Sequence, residues 1–296
     1  RRDASALSGE EVRKALLDAG LFGYINQLPY AVSTTPDTTP KAIFVSALRD
    51  MPLAGDFEVE LEGNEDAFQA GLTALGKVAK TYLGIGAHQT AGALVQARDV
   101  EVNVFDGPCP AGNVGVQVNH LSPVNKGEVV WTVDPTAVIF FGRLMLTGKV
   151  DLRRTVALAG SRMTVTGYVE ALVGTPLKTL LDGRVDTAGD TRVINGNPLT
   201  GRRATLADYL GAHTSEVTAL PEGDHADAGL DHASHRAVLH FPQLLLVALG
   251  QEGVRPRRAS QRRRAPPHHE RRIRQGAAYG HLRRVSHQGH HLRRHR

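Results

Sequence analysis

Two glycine-containing strings are the features of this sequence whose residue types and spacing could hold a ligand. The first, Leu83–His88, reads LGIGAH, and a backbone without side chains could approach a phosphate group closely there. A tight loop after a helix would use the same glycines, because isolated glycines mostly mark turns. The chain contains neither the G-x-G-x-x-G string of dinucleotide-binding folds nor the G-x-x-x-x-G-K-S/T string of nucleotide-binding loops. A nucleotide cofactor is therefore not predicted.

The second string, Phe105–Gly115, reads FDGPCPAGNVG and follows a predicted strand. Its closely spaced prolines and glycines restrict the path of the backbone. In open α/β sheets, ligands bind outside the carboxyl ends of the strands. Gly107, Pro108, Pro110 and Gly112 are therefore candidates for a ligand loop, and a rigid turn into the next element is the alternative.

The single cysteine, Cys109, is the one thiol that could act as a nucleophile. Such a cysteine needs a positioned base, and the sequence gives no reason to place His120 beside it. One cysteine excludes an internal disulfide and does not supply the four thiolates of a usual iron–sulfur cluster. No H-E-x-x-H or paired C-x-x-C string is present. We predict neither a catalytic residue nor a metal site.

The charge of the chain changes abruptly near residue 230. Residues 1–229 carry 20 Lys and Arg against 27 Asp and Glu, whereas residues 230–296 carry 15 Arg, no Lys and three acidic residues. The overall net charge of +5 therefore averages an acidic protein and a basic tail. For this reason the net charge does not predict a nucleic-acid partner for the whole chain. No apolar run approaches the roughly 18–20 residues that span a bilayer.

The first hundred residues alternate between helix and strand signals. Ser8 and Glu11 have the spacing of a capping box at the start of a helix. A buried strand is predicted at Ala42–Leu48, a helix over Asn64–Tyr82 and a strand at Val100–Phe105. This order predicts an α/β layer with parallel strands.

From about residue 129 the pattern changes to short β-like runs separated by Gly, Pro and Asp. The runs are VVWTV, AVIFF, RTVALAG, RMTVTGYV and TRVING. One helix is predicted to start at Thr175-Pro176, with the proline at its first position. Strands around one helix indicate a small α+β module.

Five motifs within Phe105–Gly160 carry a resemblance to a known family. They are the Gly-Pro-x-Pro-Ala-Gly turn at Gly107–Gly112, Pro123-Val124, Trp131, Gly142–Leu144 and Thr147-Gly148. Together they resemble the A subunit of the Na⁺-translocating NADH:quinone oxidoreductase. The strings LSGEEVRKALLDAGLF, LKTLLDGRV, TRVINGNPLTG and GAHTSEVTALPEGDHAD are similar as well, so the resemblance covers about residues 6–227.

The resemblance implies a Rossmann-like domain, related to the flavin subunit of respiratory complex I, followed by a β-grasp-like module. It also implies a peripheral subunit on the cytoplasmic face of the bacterial inner membrane, within a six-subunit sodium pump. Members of the family contact quinone and the B subunit, which lies in the membrane. They carry no redox centre of their own, and NADH, flavin and iron–sulfur centres are expected on partner subunits. The resemblance implies that this chain is not catalytic alone.

The chain departs from the family pattern at four places. Members carry Arg-Thr-Arg-Pro-Phe in a loop linked to quinone, where this chain has Asn26–Tyr30, so Pro29 and Tyr30 are the quinone-proximal candidates. The turn position that members often fill with His is Cys109. The family's β-rich N-terminal domain has no counterpart, and the chain begins with Arg rather than Met, so we expect a fragment of a longer protein.

The fourth departure is the segment after Asp227, where the family continues with Leu-Gly-Trp and an aromatic-rich domain. One extra base after that codon would turn Leu-Gly-Trp into Ala228-Gly229-Leu230. From Leu230 onward, the original frame can be recovered by joining the last two bases of each codon to the first base of the next codon. The codons that result can encode Trp-Ile-Met-Pro-Arg, followed by a family-like sequence up to Val254. We therefore predict that 228–296 is frameshifted and disordered.

The sequence thus predicts four segments and leaves three functions open. The segments are a Rossmann-like α/β domain at 1–148, a β-grasp-like α+β module at 149–215, the start of a C-terminal domain at 216–227 and the frameshifted tail at 228–296. The leading hypothesis is a quinone-associated pump subunit without nucleic-acid binding. The alternatives are a stand-alone Rossmann-type flavin or NADH oxidoreductase, and a nucleic-acid-binding protein that uses its basic tail.

Overall fold

A computed structural model describes residues 6–186 and 189–222 of the chain. The predicted tail at 228–296 lies outside the described residues. The helices of the described part are α1 (Gly9–Asp18), α2 (Phe57–Leu61), α3 (Glu65–Val78), α4 (Gly92–Val95), α5 (Val114–Leu121), α6 (Pro135–Thr147) and α7 (Leu177–Leu181), with a 3₁₀ turn at Leu21–Tyr24. The strands are β1 (Ile25–Leu28), β2 (Val32–Ser33), β3 (Ile43–Ser46), β4 (Thr81–Gly86), β5 (Glu101–Phe105), β6 (Val130–Val133), β7 (Arg153–Ala159), β8 (Gly167–Leu172), β9 (Thr191–Asn195), β10 (Arg202–Ala204) and β11 (Glu216–Pro221).

The first sheet has the order β2-β1-β6-β3-β4-β5 within the described chain. Strands β6, β3, β4 and β5 run parallel, while β1 pairs antiparallel with β6 and with β2. From β3 the chain moves outward through β4 to β5 and then returns to place β6 on the other side of β3. This is the order of the first four strands of a Rossmann fold. The prediction of a Rossmann-like α/β fold is therefore confirmed.

Helices cover both faces of this sheet. On one face, α1, α3 and α6 enclose the largest apolar core, which includes Trp131 and Phe141. On the other face, α5 packs over Phe44 and Tyr82. Helix α1 begins with the predicted capping box, since Ser8 N donates to the Glu11 carboxylate at 2.8 Å and the Ser8 hydroxyl accepts from Glu11 N at 3.3 Å.

Two elements of the first unit differ from the sequence prediction. The apolar string AVIFF belongs to α6 and not to a strand. Asp134 caps this helix by accepting from Thr136 N at 2.9 Å, Pro135 fills the first position and Gly148 ends it at φ +74°. Because its first eight residues, Pro135–Gly142, are all buried, this part of α6 has no polar face that would reveal a helical period.

The helix predicted over Asn64–Tyr82 ends at Val78, and the glycine string LGIGAH begins within β4 rather than in a loop. Gly84 lies where a Cβ atom would be 2.1 Å from the Gln117 side-chain oxygen, so the glycine makes room for a buried side chain of α5. The glycine spacing therefore reflects packing on the sheet, and the first four residues of the string belong to a strand.

The second sheet has the order β10-β9-β11-β7-β8 in the described residues. Its central strands β7 and β11 are parallel, and the remaining pairs are antiparallel. Helix α7 packs against this sheet and begins one residue after Pro176, which is its N-cap rather than its first residue. The first and last strands of this sheet, β7 and β11, lie side by side at its centre, and one helix packs across it. This arrangement matches the predicted β-grasp-like α+β module. The module extends past residue 215, because β11 pairs with both β7 and β9.

Candidate functional site

The candidate site is the crevice at the carboxyl ends of β3 and β6. These neighbouring strands continue in opposite directions across the sheet, and in open α/β folds such a switch point is where ligands bind. A cavity of about 340 Å³ occupies the crevice. The first unit contributes Ser46, Arg49 and Asp134 to its lining, and the second unit contributes His213 and Glu216. The site therefore lies between the two sheets.

Arg49, in the loop after β3, is the main cation of this crevice and is already neutralised. Its guanidinium donates to the Glu60 carboxylate at 3.0 Å and to the Thr136 hydroxyl at 2.9 Å, and it lies 3.8 Å from Asp134. It also stacks over the Phe57 ring at 5.2 Å. Burial opposes its charge, but the nearby carboxylates outweigh burial, so the pKa of Arg49 lies above its ordinary value.

Arg154, on β7 of the second unit, reaches the same cluster from the other side. It donates to the Ala212 carbonyl at 3.1 Å, to the Thr136 hydroxyl at 3.1 Å and to the Ser215 hydroxyl at 3.2 Å. Burial lowers the pKa of Arg154, and the carboxylate of Glu60 partly offsets this effect. Because the Thr136 hydroxyl accepts from an arginine of each unit, the two units share one buried polar network.

The charges that line the crevice do not suit a phosphate group. Phosphates bind where cations and free backbone N–H groups converge, often at a helix N-terminus. Here the carboxylate of Asp134 caps the N-terminus of α6, and Pro135 brings no N–H group. Asp50 and Glu216 add further carboxylates, while Arg49 is held by Glu60. The lining therefore favours a neutral or cationic group over a nucleotide phosphate.

The predicted turn at Gly107–Gly112 lies beside this crevice. Gly112 N donates to the Asp50 carboxylate at 2.9 Å, and the Ser46 hydroxyl donates to the Gly112 carbonyl at 2.8 Å. A Cβ atom on Gly112 would be 2.4 Å from the Leu48 carbonyl oxygen, so glycine permits this close approach. Gly112 lines the 340 Å³ cavity, and Gly107 lines a neighbouring cavity of about 380 Å³.

Pro108 and Pro110 shape the turn through their backbone carbonyls. The Pro108 carbonyl accepts from Ala111 N at 3.0 Å, and the Pro110 carbonyl accepts from Asn113 N at 3.0 Å. Asn113 then caps α5 by accepting from Gly115 N at 2.8 Å. These contacts describe a turn that leads into a helix. Its use as a ligand loop stays a prediction.

The contacts that Cys109 and His120 make do not favour a nucleophilic pair. The Cys109 sulfur is exposed and lies 3.7 Å from the Met51 sulfur. Partial burial and the charge of Asp50 both raise the pKa of the Cys109 thiol, which disfavours the reactive thiolate. The ring of His120 bonds with the Val116 carbonyl at 2.8 Å.

Pro29 and Tyr30 lie at the end of the first sheet opposite to the crevice. They follow β1, whose last residue, Leu28, pairs with Val130 at the amino end of β6. The crevice is at the other end of β6, beyond Val133. The structure therefore does not bring these residues together with the Gly107–Gly112 turn. The Tyr30 side chain is 79% exposed.

The sequence did not reveal the network of Arg49, Glu60, Thr136, Arg154 and Ser215. Its members come from separate elements of both units, and only the fold brings them together. The one local signal was the Asp134-Pro135 helix start, which positions Thr136 in the first turn of α6. Within residues 6–186 and 189–222, there is no group of three His, Cys, Asp or Glu side chains that could hold a metal ion.

Comparisons with known proteins agree with the two units of the fold. A family model described as the NqrA second alpha/beta domain matches residues 7–150, and one described as the NQRA C-terminal domain matches residues 155–205. None of the helices in the described part of the chain combines the length and apolar character needed to cross a membrane.

Curated relatives match over both units. The A subunit of the Na(+)-translocating NADH-quinone reductase of Pseudomonas aeruginosa PAO1 is 36% identical over 226 residues, which is 75% of this chain and 50% of the relative. The proteins of the same name from Rhodopirellula baltica and Vibrio alginolyticus are 33% identical over 229 residues and 35% identical over 225 residues, covering 76% and 75% of this chain and 50% of each relative. The chain spans about half the length of these relatives.

Two solved structures share the fold at low sequence identity. An NAD⁺-reducing NiFe-hydrogenase in the H₂-reduced state matches with a TM-score of 0.51 and 14% identity. The match covers 75% of this chain and 49% of the hydrogenase chain. The same kind of hydrogenase in the air-oxidised state matches with a TM-score of 0.50 and 14% identity. That match covers 72% of this chain and 47% of the hydrogenase chain. At this identity the likeness concerns the fold alone.

Proposed function

Because the chain belongs to the A-subunit family of the Na⁺-translocating NADH-quinone reductase, we propose that it acts as a quinone-associated component of that pump without a redox centre of its own. The observation that carries this proposal is the continuous match of both units to the family. In this role the chain rests on the cytoplasmic face of the membrane, against the B subunit of the pump. The other subunits supply NADH oxidation, flavin and iron–sulfur centres.

The chemistry of the crevice supports a protein that binds no nucleotide cofactor. Its acidic lining opposes a phosphate group, and Arg49 is held in the buried pair with Glu60 at 3.0 Å. Turning that arginine toward a ligand would leave a buried carboxylate without its cation, at a cost of about 3–5 kcal/mol. The crevice is therefore better suited to holding the two units together than to binding and releasing a dinucleotide.

The hairpin of Pro29 and Tyr30 is the proposed quinone contact. Tyr30 is 79% exposed and Val32, on the following strand, is 48% exposed, so the hairpin presents an apolar aromatic surface. An exposed ring can stack against a flat quinone headgroup at low entropic cost, because tyrosine has few rotatable bonds. Proline fixes the backbone beside it.

Photoaffinity labelling with a photoreactive ubiquinone analogue tests this contact. In the purified chain we expect labelled peptides to include Tyr30, with labelling reduced several-fold by Tyr30→Ala and by excess unlabelled quinone. Tyr209→Ala is the matched control, because Tyr209 is 62% exposed but belongs to the second unit. Labelling that both substitutions reduce equally, or that excess quinone does not compete, contradicts the proposal.

A further inference from the structure

A second, much smaller cavity is also lined by residues of both units. Its volume is about 30 Å³, and Glu60, Thr136 and Arg154 contribute to its lining. A site needs roughly 10–15 Å³ to hold one water molecule. The cavity is therefore large enough for one ordered water and too small for an organic ligand.

Two buried polar atoms of the residues that line this cavity lack a partner. The Oε1 atom of Glu60 and the Nε–H group of Arg154 form no hydrogen bond with any protein atom of the described residues. Both residues are only 3% exposed. The other atoms of these side chains are engaged, since Glu60 Oε2 accepts from Arg49 and Thr136, and the terminal nitrogens of Arg154 donate to three oxygens.

The two atoms are chemically complementary, one an acceptor and the other a donor. An occupant must therefore donate to Glu60 and accept from Arg154. A cation would face the Arg154 guanidinium, and an anion would face the Glu60 carboxylate, so each would meet a like charge in a region of low dielectric. A neutral molecule that both donates and accepts satisfies both atoms.

We propose that this cavity is a binding site for one internal water molecule, which donates to Glu60 Oε1 and accepts from Arg154 Nε. Buried waters usually bridge polar groups that would otherwise remain unsatisfied. The water links α2 of the first unit to β7 of the second, and it closes a ring of hydrogen bonds with the Thr136 hydroxyl. It thus forms part of the interface between the two units.

The neighbouring cations do not compete for this position. Arg143 donates to the Asn64 side-chain oxygen at 2.7 Å and to the Arg153 carbonyl. Arg153 is paired with Asp151 at 2.8 Å. Because these side chains are satisfied elsewhere, Arg154 is the guanidinium whose replacement should affect the water.

A crystal structure at a resolution that reveals ordered solvent provides the first test. We expect density for a single water within about 3.2 Å of both Glu60 Oε1 and Arg154 Nε. A structure in which the two atoms bond to protein groups instead, or in which the cavity contains no ordered density, overturns the proposal.

Magnetic relaxation dispersion of water in solution, which counts long-lived internal waters, provides the second test. Arg154→Lys keeps the positive charge but removes the Nε–H donor, and it should lose one long-lived water relative to the unsubstituted chain. Arg153→Lys, which changes a neighbouring arginine that is paired elsewhere, should retain the water. A folded Arg154→Lys variant with an unchanged count contradicts the proposal. If that variant does not fold, the crystal structure of the unsubstituted chain decides.

Discussion

Replacing Gly142 with alanine should weaken the packing of α6 against α3. A Cβ atom at Gly142 would be 1.6 Å from the Ala67 carbonyl oxygen and 2.9 Å from Gly71 N. Ordinary contacts of a Cβ atom begin at 3.4 Å, so the first distance must grow by 1.8 Å. The clashing atoms belong to the backbone of α3, and no side-chain rotation can relieve the clash.

The expected magnitude combines two opposing effects. Overpacking of a core costs about 1–3 kcal/mol, and a backbone clash of this size falls at the upper end of that range. Alanine in place of glycine within a helix returns up to about 1 kcal/mol through helix propensity. We therefore expect a net loss of about 2 kcal/mol in the free energy of unfolding.

Urea unfolding followed by tryptophan fluorescence measures this loss. Trp131 is the single tryptophan of the chain and is fully buried in the core that α3 and α6 enclose. Gly92→Ala is the matched control, because a Cβ atom on this helical glycine of α4 would meet nothing within 4 Å. The control should be neutral or slightly stabilising. A Gly142→Ala variant at least as stable as the unsubstituted chain would refute the packing argument.

Three further predictions concern the site and its surroundings. Thr136→Val removes a hydroxyl that serves one buried carboxylate and two buried guanidinium groups, and should cost about 3 kcal/mol of unfolding free energy. Gly112→Ala should destabilise the turn by about 1–3 kcal/mol, because the Cβ atom would meet the Leu48 carbonyl oxygen at 2.4 Å. Hydrogen bonds from Arg153 lower the pKa of Asp151 from 3.8 to about 2, so its stabilising contribution is present above pH 3.8 and is lost as the pH falls toward 2.

Denaturant titrations check all three predictions. For Thr136, the control is Thr164→Val, whose hydroxyl makes one exposed bond to a carbonyl at 3.2 Å and should cost less than about 1 kcal/mol. Equal losses at the two threonines would argue against the buried network. A Gly112→Ala variant of unchanged stability would argue against the close approach of the turn. If Asp151→Asn shows the same loss of stability between pH 4 and pH 2 as the unsubstituted chain, Asp151 is not the source of that loss.

Local signals in the sequence predicted those parts of the fold that short-range chemistry determines. The capping box of Ser8 and Glu11 identified α1, and the glycines and prolines identified the turn at Gly107–Gly112. Helix α6 was mistaken for a strand, because its apolar run is buried on nearly all sides. Strand β4 was mistaken for the end of a helix followed by a loop, because Gly84 serves a close contact with Gln117 that the sequence does not show.

The buried network of the site could not be predicted, because it depends on contacts between distant segments. Glu60 and Thr136 belong to the first unit, whereas Arg154 and Ser215 belong to the second. Residue types alone would place such charged groups on the surface, since charged residues are rarely buried without a partner. Only the docking of the two sheets supplies their partners.

The most direct test of the proposed function measures which redox molecules the purified chain binds. We predict saturable binding of a short-chain ubiquinone analogue, weakened several-fold by Tyr30→Ala, with neither flavin absorbance nor NADH binding. Tight binding of flavin or NADH by the chain alone, together with quinone binding that Tyr30→Ala leaves unchanged, would contradict it.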